Sequence, residues 1–317
     1  MATITVPPPQ DSALPPLRVR RDVLETRSFL PFENQHDLED ALRGFVAAPG
    51  YREIPAGEGE TAWSVDGADW LLDDPDGLDP FLRRRVALNL SYGLYEVLDG
   101  RIYQVRGFDL ANMTFVLGET GWIVFDPLTL RETSAAALAL VREHVADLPV
   151  SAVVYSHGEP DDEGGARGVV DEADVARGRV EVIAPAGHAE YDKPGLGPAL
   201  GAGPLPATIT IEGAEQELTV DGVRMVVRTT GCNPEPAELD VHLPELGAVR
   251  LAERSEEPGH EQARPSSGRR KSRRVTELSS GATTFGGDAQ VMFAAHRWPQ
   301  WDAERIHAVL HSPNLPC

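Results

Sequence analysis

The residues best suited to chemistry stand together in VVYSHGEPDDEGG, residues 153–165. An apolar run ends at His157. Glu159, Asp161, Asp162 and Glu163 follow within five residues, and Gly164 and Gly165 close the stretch. An imidazole beside several carboxylates is a donor set for a divalent cation. Oxygen donors move the preference from zinc toward manganese or iron(II), with magnesium also possible. Two carboxylates about 5 Å apart repel by roughly 3 kcal/mol at an effective dielectric near 20. Such a cluster therefore holds a cation, takes up protons, or turns outward as a solvated acidic loop. Pro160 restricts the backbone within it.

The elements around this stretch set where it can point. VSAVVYS, residues 150–156, is continuously apolar, as in a strand covered on both faces, and so puts His157 at a strand tip. Upstream, LYEVLDGRIYQVRG reads as a hairpin about Asp99-Gly100, and MTFVLGETGWIVFDP as a second one ending at Asp126-Pro127. Asp126 is expected to cap and orient the neighbouring loop, or to support a ligand from behind. Helices are expected over residues 37–48, 131–148 and 166–178, and again near the end in DAERIHAVLH. Further strands are expected in VEVIAPA, ATITI, EQELTV, VRMVVRTT, LDVHLPE, GAVRLAE and AQVMFAAH. Two sheets between helices would accommodate this order. Residues 1–28 read as an extended Pro-rich arm, 29–317 as the domain, 193–207 as a Gly/Pro linker and 255–280 as a polar basic loop. Trp122, Trp298 and Trp301 read as core, Asn112 as a strand-edge hydrogen-bonding residue, and Cys232 as a small packed one.

Bulk composition excludes several classes. The 317 residues are enough for a substantial core, and 41% hydrophobic with 25% charged residues is a globular balance. A net charge of -21 disfavours nucleic acid, although SGRRKSRRV runs the other way as a solvated basic loop. No apolar run is long enough for a membrane span and the N-terminus has no secretion signal, so a cytoplasmic location is expected. Two cysteines make no disulfide framework.

The segment YGLYEVLDGRIYQVRGFDLANMTFVLGETGWIVFDPLT resembles the start of the catalytic domain of the alkyl sulfatases with a metallo-β-lactamase fold. LPFENQHDLEDALRGFVA, SAAALALVREH, GVVDEADV and ELTVDGVRMV resemble that family too. The resemblance is close over about residues 30–191 and looser over 209–251 and 291–301. It implies an α/β, metallo-β-lactamase-like αββα sandwich. In the family, His-x-His-x-Asp-His-x-Gly-Gly supplies ligands to two zinc ions. Here the same positions carry His157, Glu159, Asp161 and Asp162, with Gly164-Gly165 retained. The family's Ala-Glu-Asn appears as Ala252-Glu253-Arg254, its His-His-Trp-Pro as His296-Arg297-Trp298-Pro299, and Glu235 is a loose counterpart of a further metal-reaching glutamate. The segment that shapes the family's substrate entrance corresponds to the short linker, and its downstream dimerisation and lipid-carrier-like domains have no counterpart here, which leaves the oligomeric state open.

The resemblance thus implies a metal set of His157, Glu159, Asp161, Asp162, Glu253 and His296, holding zinc by family or manganese or iron by ligand type. Asp161 would bind the metal and orient water for attack on a small-molecule sulfate or related ester. Two alternatives follow from the altered motif: an inactive member of the fold with a binding or regulatory role, or a biosynthetic enzyme running a different reaction at a carboxylate-rich site.

Overall fold

The computed structural model describes residues 36–57, 59–65, 88, 91–158, 164–188, 204–230, 238–252 and 285–310. Helix α1 (His36–Leu42) leads into strand β1 (Phe45–Ala47), and β2 (Glu53–Gly57) with β3 (Glu60–Ser64) forms a separate two-stranded ribbon. The Trp63 indole N–H pins that ribbon to the Gly107 carbonyl at 2.7 Å.

The expected hairpins follow as β4 (Gly93–Leu98) with β5 (Ile102–Arg106), and β6 (Met113–Leu117) with β7 (Trp122–Phe125), all antiparallel neighbours. Helix α2 (Arg131–His144) crosses over to β8 (Val150–Val154). A 3-10 turn (Ala166–Gly168) and helix α3 (Glu172–Ala176) lead on to β9 (Glu181–Pro185), and β10 (Ile209–Ile211) comes after it. These strands make one sheet in the order β1-β4-β5-β6-β7-β8-β9-β10, parallel from β7 onward. The second sheet runs β11 (Glu215–Val220), β12 (Val223–Thr230), β13 (Glu238–Leu243), β14 (Ala248–Arg250), β15 (Val291–Ala294) and β16 (Arg297–Gln300), with β14 and β15 parallel. Helix α4 (Ala303–Leu310) comes last.

Side-chain alternation builds the layers. On β7, Trp122 and Val124 face the helix side with Leu138 and Val141 of α2, whereas Ile123 and Phe125 face the other sheet. The second face meets Met225, Val227, Leu239, Val241, Val291 and Phe293 to form the core between the sheets. On the outer face of the second sheet, Val249, Leu251 and Met292 pack on Ile306 and Val309 of α4. Helix, sheet, sheet, helix is the expected αββα order. Trp122 and Trp298 are buried, as expected of core residues, and Trp301 is half-buried.

Three local expectations change. The helix expected over residues 37–48 stops at Leu42, and Phe45–Ala47 pairs with β4 instead. Gly44 turns the chain at φ 73°, and the helix before it is anchored where the Arg106 guanidinium donates to the Ala41 carbonyl at 2.9 Å. The helix expected over 166–178 divides into the 3-10 turn and α3, because the chain needs close backbone approach at Gly168, where an added Cβ would stand 2.9 Å from the Ala135 nitrogen. The ribbon β2–β3 and the strand β16 had no expectation. No helix among the described residues is long and apolar enough to cross a membrane.

Candidate metal centre

The site lies where strand tips of both sheets meet. Strand β8 continues through Tyr155, whose N–H donates to the Ile183 carbonyl, to Ser156 and His157. The backbone of Ser156 is held on both sides: its N–H donates to Asp126 Oδ1 at 3.0 Å, and its carbonyl accepts from Leu239 N–H at 2.7 Å. Its hydroxyl lies 2.8 Å from His157 Nδ1. His157 is buried, and its ring faces that of His296 with centroids 6.2 Å apart and planes at 67°.

His296 sits between β15 and β16. Asn112 brackets it, its backbone N–H donating to the Ala295 carbonyl at 2.6 Å and its side-chain amide to the Arg297 carbonyl at 3.2 Å. The strand-edge role expected of Asn112 is therefore a clamp on the flanks of His296. The loop before Asn112 is fixed by Asp109, which accepts from Leu110 N–H, from the N–H and hydroxyl of Thr129, and from the Thr133 hydroxyl. Burial pushes the Asp109 carboxyl up despite those four donors.

Asp126 does what was expected of it. It ends β7 at φ 54°, accepts the Ser156 N–H on one oxygen, and takes the Arg250 guanidinium on the other at 2.8 Å. Gly165, from the Gly-Gly close of the motif, donates its N–H to the Leu128 carbonyl at 2.7 Å. It packs against the turn of residues 127–134 so closely that a Cβ would collide with the carbonyls of Pro127 and Leu130.

Glu159, Asp161, Asp162 and Glu253 lie outside the described residues, as do Glu235, Cys232 and the basic loop. Among the described residues, no three His, Cys, Asp or Glu side chains form a group that could hold a metal ion. The two described candidates, His157 and His296, are brought together. Two imidazoles on one tetrahedral zinc, with bonds of about 2.1 Å, put their ring centres about 5 Å apart. At 6.2 Å, the pair fits an ion with a small side-chain shift, or two neighbouring ions. The two imidazoles are nitrogen donors of the kind that zinc takes.

Sequence reasoning missed His188. It follows β9, the neighbour of β8, and its buried ring stacks on Tyr155 at 5.0 Å with planes 5° apart. Burial first, and the nearby His157 second, push its pKa down to about 4, so it is a neutral wall of the site at neutral pH. The only sequence signal was its place just after a strand, which also describes many ordinary loop residues.

Comparison with known proteins agrees with the fold. Residues 106–249 match the model of the metallo-beta-lactamase superfamily. The chain has the metallo-β-lactamase fold. The chain is 32% identical to an (R)-specific secondary-alkylsulfatase from a Pseudomonas species, over 89% of its own length and 48% of that protein. It is 29% identical to an alkyl/aryl-sulfatase of Saccharomyces cerevisiae, over 90% of its own length and 50% of that protein. The solved structure of the stereoselective inverting sec-alkylsulfatase Pisa1 from a Pseudomonas species superposes with a TM-score of 0.72 at 28% identity, covering 95% of this chain and 53% of that one. The chain spans about half the length of the curated relatives it matches. The matched residues run from the end of β5 into β14, so β1, β4 and His296 lie outside them.

Proposed function

We propose that the protein is a metal-dependent hydrolase of a small-molecule sulfate or related ester. The observation that carries this reading is the buried His157 facing His296, each at a strand tip whose flanking backbone is tied down. Likeness to proteins named alkylsulfatases supports the ester class. In this reading His157 and His296 supply nitrogen, and Glu159, Asp161, Asp162 and Glu253 supply oxygen, to zinc, manganese or iron. A bound divalent ion supplies Lewis acidity and lowers the pKa of water. Asp161 is assigned the orientation of the attacking water. Hydrolysis adds the elements of water across the ester bond and releases an alcohol and sulfate. Ser156 contacts the His157 ring and Asn112 ties down the backbone on both sides of His296, which reduces the ordering left to the moment of binding.

The test is the metal content of the chain purified without chelator, together with turnover of p-nitrophenyl sulfate. His157→Ala is expected to lower bound metal and kcat/KM together, by about 100-fold. Failure to retain stoichiometric metal after supplementation with zinc, manganese and iron would sink the reading. It would favour the alternative suggested by two histidine positions occupied by Glu159 and Asp162, a non-catalytic protein on the same fold. Metal retained without ester turnover would point instead to another reaction at the same centre.

A further inference from the structure

Arg250 lies at the end of β14 in the second sheet, and its side chain is 1% exposed. A buried guanidinium is costly unless it is paired and hydrogen-bonded, so its partners matter. One arm, Nη2, donates to Asp126 Oδ2 at 2.8 Å, and the other, Nη1, donates to the Leu239 carbonyl at 3.2 Å. Asp126 and Leu239 are the two residues that hold the backbone of Ser156, one through its N–H and the other through its carbonyl. The four residues close a ring: Arg250 to Asp126, Asp126 to Ser156, Ser156 to Leu239, Leu239 back to Arg250. They come from the ends of β7, β8, β13 and β14, so the ring stitches the two sheets together directly behind His157. Its output is the Ser156 hydroxyl, 2.8 Å from His157 Nδ1.

We propose that Arg250 is a positioning residue for the His157 imidazole. By gripping both partners of Ser156 it holds the hydroxyl against Nδ1, where the hydroxyl oxygen accepts the Nδ1 proton and Nε2 is left as the nitrogen presented to a metal. A guanidinium suits this task because its planar fork reaches a carboxylate and a carbonyl in different directions at once, which a lysine ammonium does not reproduce with the same rigidity. The metal part of this inference rests on the reading of His157 as a ligand. The orientation of the ring does not.

The experiment uses the full chain with three changes: Arg250→Lys, the pair Arg250→Met with Asp126→Asn, and Ile306→Ala. The pair removes both buried charges together, and the side-chain carbonyl brought in by Asp126→Asn keeps an acceptor for the Ser156 N–H. Ile306→Ala, in α4 on the outer face of the second sheet, controls for general loss of stability. Two quantities are read: zinc or manganese affinity by competition with a chromophoric chelator, and the His157 ring tautomer by nitrogen-15 NMR of metal-free protein, assigned with His157→Gln. The unaltered chain is expected to show one tautomer, protonated at Nδ1. Both Arg250 variants are expected to mix tautomers and to bind metal at least about 10-fold more weakly, while Ile306→Ala changes neither. Folded Arg250 variants that keep the single tautomer and full affinity would overturn the proposal, as would mixed tautomers in the unaltered chain. If that chain binds no metal, the hydrolase reading fails, and the tautomer comparison still decides the role of Arg250.

Discussion

At Gly165 the difference between a hydrogen and a methyl group decides whether the chain can pack against the turn of residues 127–134. Its φ of -83° is open to any residue, so the requirement is space alone. A Cβ would meet the Pro127 and Leu130 carbonyls and stand 2.8 Å from the Ser134 hydroxyl. Gly165→Ala is therefore expected to cost about 2–4 kcal/mol, measured by urea unfolding. A change below about 0.5 kcal/mol would mean that the turn of residues 127–134 yields freely. At this scale the sequence was partly legible. His157 and His296 could be picked out because each follows an apolar strand within a recognisable motif, and Asp126 because it ends one. Arg250 and His188 could not, and Asn112 could be read only as a strand-edge hydrogen-bonding residue. What makes each matter is a partner far away in sequence, such as Asp126 for Arg250 or the flanks of His296 for Asn112.

Among the elements, the N-terminal edge of the large sheet shows local propensity giving way to tertiary contact. DLEDALRGFVAA has helical spacing throughout, yet Phe45–Ala47 is a strand. Pairing with β4 satisfies its backbone, and the Phe45 ring meets Tyr95 edge-on at 5.5 Å. Gly44 is the switch. Its φ of 73° favours glycine, its carbonyl accepts the Glu96 N–H at 2.6 Å, and a Cβ there would collide with the Glu96 carbonyl. Gly44→Ala is expected to destabilise the protein by about 2–4 kcal/mol and to speed amide exchange along β1 and β4 more than along β8. Uniform exchange across the sheet would count against a local role for this turn. The central hairpins β4–β5 and β6–β7 were legible because their turns and apolar runs agree. The ribbon β2–β3 was not, since its EIPAG and ETAWS lack a clean alternation.

Over the whole molecule, proton binding couples stability to pH through buried imidazoles. Burial pushes His188 down to about 4 from 6.5, and it pushes His242 down as well, even with the Asp288 carboxylate 2.9 Å away. Between about pH 6.5 and pH 4 the unfolded chain protonates His188 while the folded chain does not. The unfolded state then binds more protons, so stability falls as pH falls through that window and levels off below it. For His188 the loss is up to about 3 kcal/mol. Urea midpoints of metal-free protein at pH 7.5, 6 and 5 are expected to decline, and His188→Phe, which keeps a ring against Tyr155, is expected to reduce the slope. An unchanged slope would show that this imidazole takes up its proton over the same pH range in the folded and unfolded states. The net charge of -21 adds self-repulsion at every pH above the carboxylate range, which makes comparison of variant with parent at each pH the informative measurement.

By itself the sequence determined the αββα layers, the tip position of His157 and the class of chemistry worth testing, because periodicity, turn residues and motif order are properties of neighbouring residues. Only the tertiary structure decided that His157 meets His296, that His188 walls the same space, and that one arginine from the second sheet bonds both partners of the backbone behind His157. Those depend on two sheets closing at a fixed offset, which is set by the packing of Phe125, Val154, Leu239 and Phe293 between them. No local pattern in the chain encodes that offset.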